Sequence, residues 1–268
     1  MACPLGAVPG PFGYVRHMRA SVPSPSLYST DYYICSFWRF PMITRLKRLG
    51  IVLAVIGIAF VAAGGFAFLK TQEGYRSLNA FSAAQDVKLS YNDQGQLVDR
   101  GETAGAQAIM SLLKNDWGYP VVASDLNPND PIVNTATEYM FQMATVAHHT
   151  LTGTQTVVLT KDAEYKGKVY AAGEYKVPVD GRYFSQFDRL SPLDGPARDQ
   201  AWTGTAQAIV AELGVGTATA SALQLALAMS ALIAGLGFTF LLAGAGLVWA
   251  TRPETAAVPV LRPAAVMA

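Results

Sequence analysis

Apolar residues follow three different patterns along this chain of 268 residues. From Leu213 to Thr251 they are nearly continuous, with no Asp, Glu, Lys or Arg between Glu212 and Arg252. Within that stretch, SALQLALAMSALIAGLGFTFLLAGAGLVWA is apolar on every face a helix would have. A bilayer core takes roughly 20 apolar residues as a helix. A lone segment in lipid can satisfy its own backbone groups only in that form. Residues 221–250 are therefore predicted to be a transmembrane helix. Residues 50–69, GIVLAVIGIAFVAAGGFAFL, are predicted to be another. This run exceeds the ~7–15 apolar residues of a cleaved signal peptide, so it is read as a retained helix, although Ala62, Ala63, Gly64 and Gly65 are small enough for a cleavage site.

The second pattern is helical. Tyr75, Leu78 and Phe81 or Ser82 share one side of a helix over residues 72–84. Ala108, Ile109, Leu112 and Leu113 make the buried stripe of a helix over 103–114. A longer helix is predicted over 131–151, with Asp130 as its cap and Pro131 at its first position. Val133, Ala136, Met140, Met143, Ala144 and Ala147 give it an apolar side, and Gly153 closes it. Trp202, Ala206, Ile209 and Leu213 predict a helix over 197–212, interrupted at Gly214-Val-Gly216.

The third pattern is that of strands. TVVLT, KVYAA and EYKVPV are rich in β-branched and aromatic residues, with turn residues at Lys166-Gly167 and Ala172-Gly173. RYFSQF, after Asp180-Gly181, is a candidate fourth strand. Upstream, VKLSY and QLVDR flank Asn92-Asp93-Gln94-Gly95 as a hairpin. The predicted fold class is α+β: a domain of helices and a small antiparallel meander, residues 71–220, on two transmembrane helices.

Charge orients the arrangement. Charged residues are 15% of the chain, below the ~25% of soluble proteins. Residues 71–220 hold 17 Asp and Glu against 11 Lys and Arg. Arg45, Lys47 and Arg48 precede the first apolar run; Arg252 and Arg262 follow the second. Short loops rich in Lys and Arg stay cytoplasmic. Both termini are predicted to be cytoplasmic at the plasma membrane, and residues 71–220 extracytoplasmic. The only cysteines, Cys3 and Cys35, precede the first run, so the exported part is not a disulfide scaffold. A net charge of +1 carries no nucleic-acid signature. Residues 1–41, rich in Pro, Ser and Tyr, read as a disordered tail or as a mis-assigned start upstream of Met42. Residues 251–268 read as a disordered cytoplasmic tail.

Candidate chemistry is sparse. No GxSxG, Walker, GxGxxG or CxxC motif is present, and no catalytic or cofactor-binding residue is assigned. His148 and His149 are adjacent, so on a helix they point about 100° apart. With Glu138 they are weak metal candidates, and no cofactor is expected. Glu138, Gln142, Thr145 and His149, spaced by 4, 3 and 4, form one helix stripe. It reads as a solvated face, or as a partner contact surface made proton-responsive by His149. Trp117-Gly-Tyr119-Pro and Asp180-Gly-Arg-Tyr183 are read as core and turn pieces, with a ligand groove as the alternative. Gly57, Ala63, Gly64 and Gly65 in the first run, and Ala231, Gly235, Gly237, Ala243, Gly244 and Gly246 in the second, allow close helix packing. The expected partners are the lipid bilayer and a membrane protein or second copy, with no nucleic acid.

MITRLKRLGIVLAVIGIAF, the stretch AFSAAQDVKLSYNDQGQLVDRGETAGAQAIMSLLKNDWGYPVVASDLNPNDP, and TATEYMFQMATVAHHTLTGTQTV together resemble a family of actinobacterial two-span membrane proteins. Its members are often labelled aromatic ring-opening dioxygenase LigA. The likeness runs from Met42 to Ala250, and DWGYPVVASDLNPNDP is its most specific part. It implies a cell-envelope protein whose activity is uncharacterised, and it supplies no catalytic residues. Three functions are carried forward. The first is a two-pass envelope protein with an interaction or structural domain. The second is an accessory subunit of a membrane complex. The third is the dioxygenase of the label, which needs iron held by His and carboxylate groups.

Overall fold

The computed structural model describes residues 30–252, with side chains over 42–252. The expectations for residues 1–29 and 253–268 lie outside the described residues. Two long helices, α1 (Thr30–Gln85) and the last helix (Gly204–Ala250), are long and apolar enough to cross a membrane. The chain divides into two compact units: residues 54–242, and the described residues outside them.

In the larger unit the two long helices run antiparallel, and glycine sets their separation. A Cβ on Gly57 would meet Leu241 N at 2.6 Å and Gly237 O at 2.7 Å; one on Gly64 would meet Ala234 N at 2.7 Å. Gly237 is blocked in turn by Val61 N at 2.6 Å. In the smaller unit, a Cβ on Gly50 would lie 2.8 Å from Gly244 O. Between Met42 and Leu78 the buried α1 residues are Gly50, Gly57, Gly64, Thr71 and Leu78. This strict seven-residue repeat keeps one narrow face toward a partner helix. Gly65 and Gly235 lie off that seam, with nothing near a Cβ. Hydroxyls in the apolar helices bond to their own backbone: Thr71 Oγ1 donates to Ala67 O and Ser230 Oγ to Leu227 O.

Three shorter helices and a β-ribbon lie between the long helices in sequence. They are α2 (Thr103–Ser111), α3 (Ala136–Leu151) and α4 (Asp194–Ala201), which makes the long C-terminal helix α5. α2 ends in a wider turn, Leu112–Asp116. Its buried positions are Ala106 and Ile109, continued by Leu112 and Leu113. Ala108, expected in that stripe, is exposed.

The strands are β1 (Thr154–Leu159), β2 (Ala163–Tyr165), β3 (Lys168–Tyr170) and β4 (Gly173–Pro178). β1 pairs antiparallel with β4, from Thr154↔Pro178 to Leu159↔Gly173, and β2 with β3. The meander is thus a hairpin nested within a hairpin. Lys166 (φ 51) and Gly167 (φ 76) make the tight inner turn, whose positive φ values match the twist of the strands. Val157 on β1, Val177 on β4 and Val179 just beyond it face the core.

Several expected boundaries move. RYFSQF is not a strand: Phe184–Gln186 is a short 3-10 turn, with Gln186 Oε1 accepting from Tyr183 N. The 87–102 hairpin keeps its Asn92–Gly95 turn but forms only isolated bridges, Tyr91↔Leu97 and Asp99↔Glu102. Residues 131–133 are extended, because Leu89 N donates to Pro131 O and Val133 N to Val87 O. α3 therefore starts after Thr135. Gly214-Val-Gly216 does not interrupt α5; the break falls at Trp202, whose ring is buried and whose Nε1 donates to Arg182 O.

The two glycine classes give a direct test. Gly57→Leu or Gly237→Leu should lower thermal stability in detergent by at least the ~1–3 kcal/mol typical of overpacking. Gly65→Leu and Gly235→Leu should leave it nearly unchanged. Equal losses at all four positions would contradict the close-approach seam.

Candidate functional site: a cleft where three helices meet

The helix that carries most of the candidate residues is largely covered by the rest of the domain. None of the 16 residues of α3 is exposed. Its start explains the first of them. Thr135 Oγ1 accepts from Glu138 N, while Glu138 Oε2 accepts from Thr135 N, Thr135 Oγ1 and Asn134 N. This is a capping box, in which side chains and the first helical turn satisfy each other's donors. Glu138 is 2% exposed. Burial raises the pKa of its carboxyl, and the three hydrogen bonds only partly offset that.

The stripe Glu138, Gln142, Thr145 and His149 therefore turns inward. Thr145 Oγ1 donates to Phe141 O. His149 Nε2 lies 2.9 Å from Asp99 Oδ1, tying α3 to the 87–102 loop. Asp99 is set in place by the tight turn at Arg100 (φ 51) and Gly101 (φ 88). The sequence reading missed this partner of His149, although Arg-Gly before a helix is a turn signal. His148 points elsewhere, into a shallow depression beside Ser111 and Asp116. Burial and the neighbouring His149 lower its pKa.

The two imidazoles meet edge to face, with centroids 5.7 Å apart. Among the described residues, no group of three or more His, Cys, Asp or Glu side chains converges in a way that could hold a metal ion. Glu138 is committed to the helix start and His149 to Asp99. The residues present therefore do not fit iron held by two histidines and a carboxylate.

The two aromatic stretches do meet. Trp117 Nε1 donates to Tyr183 Oη at 2.7 Å, and the Tyr183 ring stacks on Trp202 with centroids 5.7 Å apart. The Trp117–Tyr183 contact lies at the surface, with Tyr183 38% exposed, while the Trp202 ring beneath it is buried.

Gln142 is different, because it borders an open cleft. The end of α1 (Phe81, Ser82, Gln85), the middle of α3 (Tyr139, Gln142, Val146) and α5 (Ile209, Glu212, Leu213) enclose a volume of about 350 Å³. Val87 and Val133 complete the wall. Ligand sites are typically concave, mostly apolar and ~300–1,000 Å³. Tyr139 organises this one. Its Oη lies 2.7 Å from Ser82 Oγ on α1. On α5, a Cβ at Gly216 would lie 2.6 Å from the Tyr139 ring. One side chain thus spans all three helices, and Gly216 is required for close approach. Buried Ser82, Val133, Tyr139 and Leu213 form the floor. Phe81, Gln85, Ile209 and Glu212 form an exposed rim.

No protein-family model matches this chain, and neither the curated proteins nor the solved structures contain a match.

The buried carboxyl of Glu138 sets a pH dependence. Because burial raises its pKa, the folded protein holds this proton more tightly than the unfolded chain does. Its contribution is fully present below the unfolded pKa and is lost as pH rises through the folded value. Glu138→Gln keeps an acceptor for the capping donors and removes the buried charge. Thermal melts should show the variant matching the parent at low pH and gaining on it as pH rises. Glu138→Ala should lose about 1–2 kcal/mol with the cap. A parent that gains on Glu138→Gln as pH rises would show the charged form to be favoured instead.

Proposed function

We propose that this chain is a two-pass integral membrane protein of the cell envelope whose domain between the two passes, residues 71–220, lies outside the cytoplasm and binds a partner or ligand. One observation carries the reading. The most apolar stretches of the two long helices are each only 11% buried. Val55, Ile58 and Phe66 on α1, and Leu232, Phe238 and Leu242 on α5, point away from the protein. Apolar patches on soluble monomers reach only ~300–600 Å², whereas these helices are apolar around most of their circumference. Lipid is the environment that suits such a surface.

The antiparallel pairing of the long helices supports a single side for residues 71–220. The basic groups Arg45, Lys47, Arg48 and Arg252 favour the cytoplasm for both ends. Trp249, 71% exposed near Arg252, suits the bilayer interface. Membership of the actinobacterial two-span family belongs to the same proposal. Within it, the cleft favours a binding role over the ring-opening chemistry of the label, because among the described residues no histidine lines it and Glu212 is its one carboxylate.

The topology is tested with a single reporter thiol. In a Cys3→Ser, Cys35→Ser background, Lys161→Cys places a thiol on an exposed turn. It should react with an impermeant maleimide in intact cells. Reaction only after lysis would reverse the orientation, and recovery of the protein in the soluble fraction would reject the membrane reading.

A further inference from the structure

We propose that the cleft between α1, α3 and α5 holds the tail of a single-chain amphiphile with an uncharged or cationic head group, taken from the bilayer along the surface of α5. The inference rests on the membrane placement proposed above.

The distribution of polar groups within the cleft points to this ligand. Its floor contains two hydroxyls, and each already has a partner. Ser82 Oγ donates to Leu78 O and pairs with Tyr139 Oη. The surrounding floor is Val133, Leu213 and the Tyr139 ring, with Val146 on one wall. A polar group entering this floor would exchange its water for no more than the remaining lone pairs of two hydroxyls already bonded to each other. The inner end of the occupant is therefore apolar.

The polar groups around the opening are different. Gln85, Gln142 and Glu212 border the cleft, and none belongs to a side-chain hydrogen bond or ion pair among the described residues. They can serve a polar head. Among the described residues, Glu212 is the only charged one lining the cleft. Its carboxylate would repel an anionic head and leave neutral or cationic heads favoured. An apolar interior with polar groups at its mouth matches an amphiphile rather than a uniformly polar metabolite.

The source is indicated by α5 itself. Leu213 lies on the cleft floor, and from Leu213 to Thr251 the helix carries no charged residue. Val215 and Leu225 are exposed along the way. A tail leaving the bilayer would therefore pass no charged α5 side chain before reaching the cleft. The α1 side differs, because Lys70, Glu73 and Arg76 follow its apolar run.

Photolabelling tests the proposal on the full chain. The protein is reconstituted in phosphatidylcholine vesicles with a trace of monoacylglycerol bearing a diazirine near the end of its tail. Labelled peptides are mapped by mass spectrometry. Label is expected on the exposed sides of the two apolar runs and, separately, on Val133, Val146 or Leu213. Val146→Trp, which fills the cleft, should abolish the second set and spare the first. A fatty acid carrying the same tag should label the cleft severalfold less at neutral pH. Glu212→Gln, at an exposed position that leaves the floor intact, should remove that difference. Labelled helices with an unlabelled cleft would overturn this inference alone. So would cleft label that persists in Val146→Trp, equal cleft labelling by the two head groups, or a cleft shielded by another protein chain. Absence of label from both apolar runs would overturn the membrane reading itself.

Discussion

The structure depends on how closely two helix backbones approach. In the larger unit, Gly57 and Gly64 on α1 meet Gly237, Leu241 and Ala234 on α5 at distances that leave no room for a Cβ. Such an approach gains dispersion along the contact, and lipid would supply no hydrophobic force to replace it. It also fixes register. Once Gly57 lies against Gly237 in an antiparallel pair, the end of α1 lies beside the first turns of α5. The site where α3 docks is set by that pairing, about seven helical turns from the contact.

Tyr139 reads this register. It is presented by α3, bonded to Ser82 on α1 and pressed against Gly216 on α5. Each contact needs the others. Ser82 has a second turn of helix beneath it only because α1 continues beyond the apolar run to Gln85. Gly216 faces the ring only if α5 passes through Gly214-Val-Gly216 unbroken. The capping box at Thr135 and Glu138 decides where α3 begins, and so which of its residues face the long helices. The cleft lies in the space that Tyr139 leaves between the three helices.

Several hydroxyls on the described helices are satisfied within their own helix, whereas Tyr91 Oη and Asp125 Oδ2 are buried without a hydrogen-bond partner. Thr71, Ser82, Thr145, Thr150 and Ser230 donate to carbonyls three or four residues back on their own helices. Glu138 serves three donors at a helix start. The Trp117–Tyr183–Trp202 group carries its own hydrogen bonds to side chain and backbone. What stays unpaired around the cleft is at its rim.

Elements with a strong local signal were legible in the sequence. The two apolar runs, the helices near 103–114 and 131–151, and the strands at TVVLT and EYKVPV each carry their pattern within one continuous segment. The capping box T-x-x-E at Thr135 was legible too, yet Asp130-Pro131 offered a competing start. What selected Thr135 was the pairing of residues 131–133 with 87–89, a contact between distant parts of the chain. Glycine showed the same division. Near the membrane-like run, Gly214 and Gly216 read as a helix break, because isolated glycine weakens a helix. Only the Tyr139 ring, 77 positions upstream in sequence, makes Gly216 a packing site. Likewise, polar residues at helical spacing read as a solvated stripe, since period alone cannot say what faces a polar side chain. Composition and period determined the apolar runs, most of the helices and the strands of the ribbon. Tertiary structure decided which face each one buries, because burial depends on residues the local pattern does not contain.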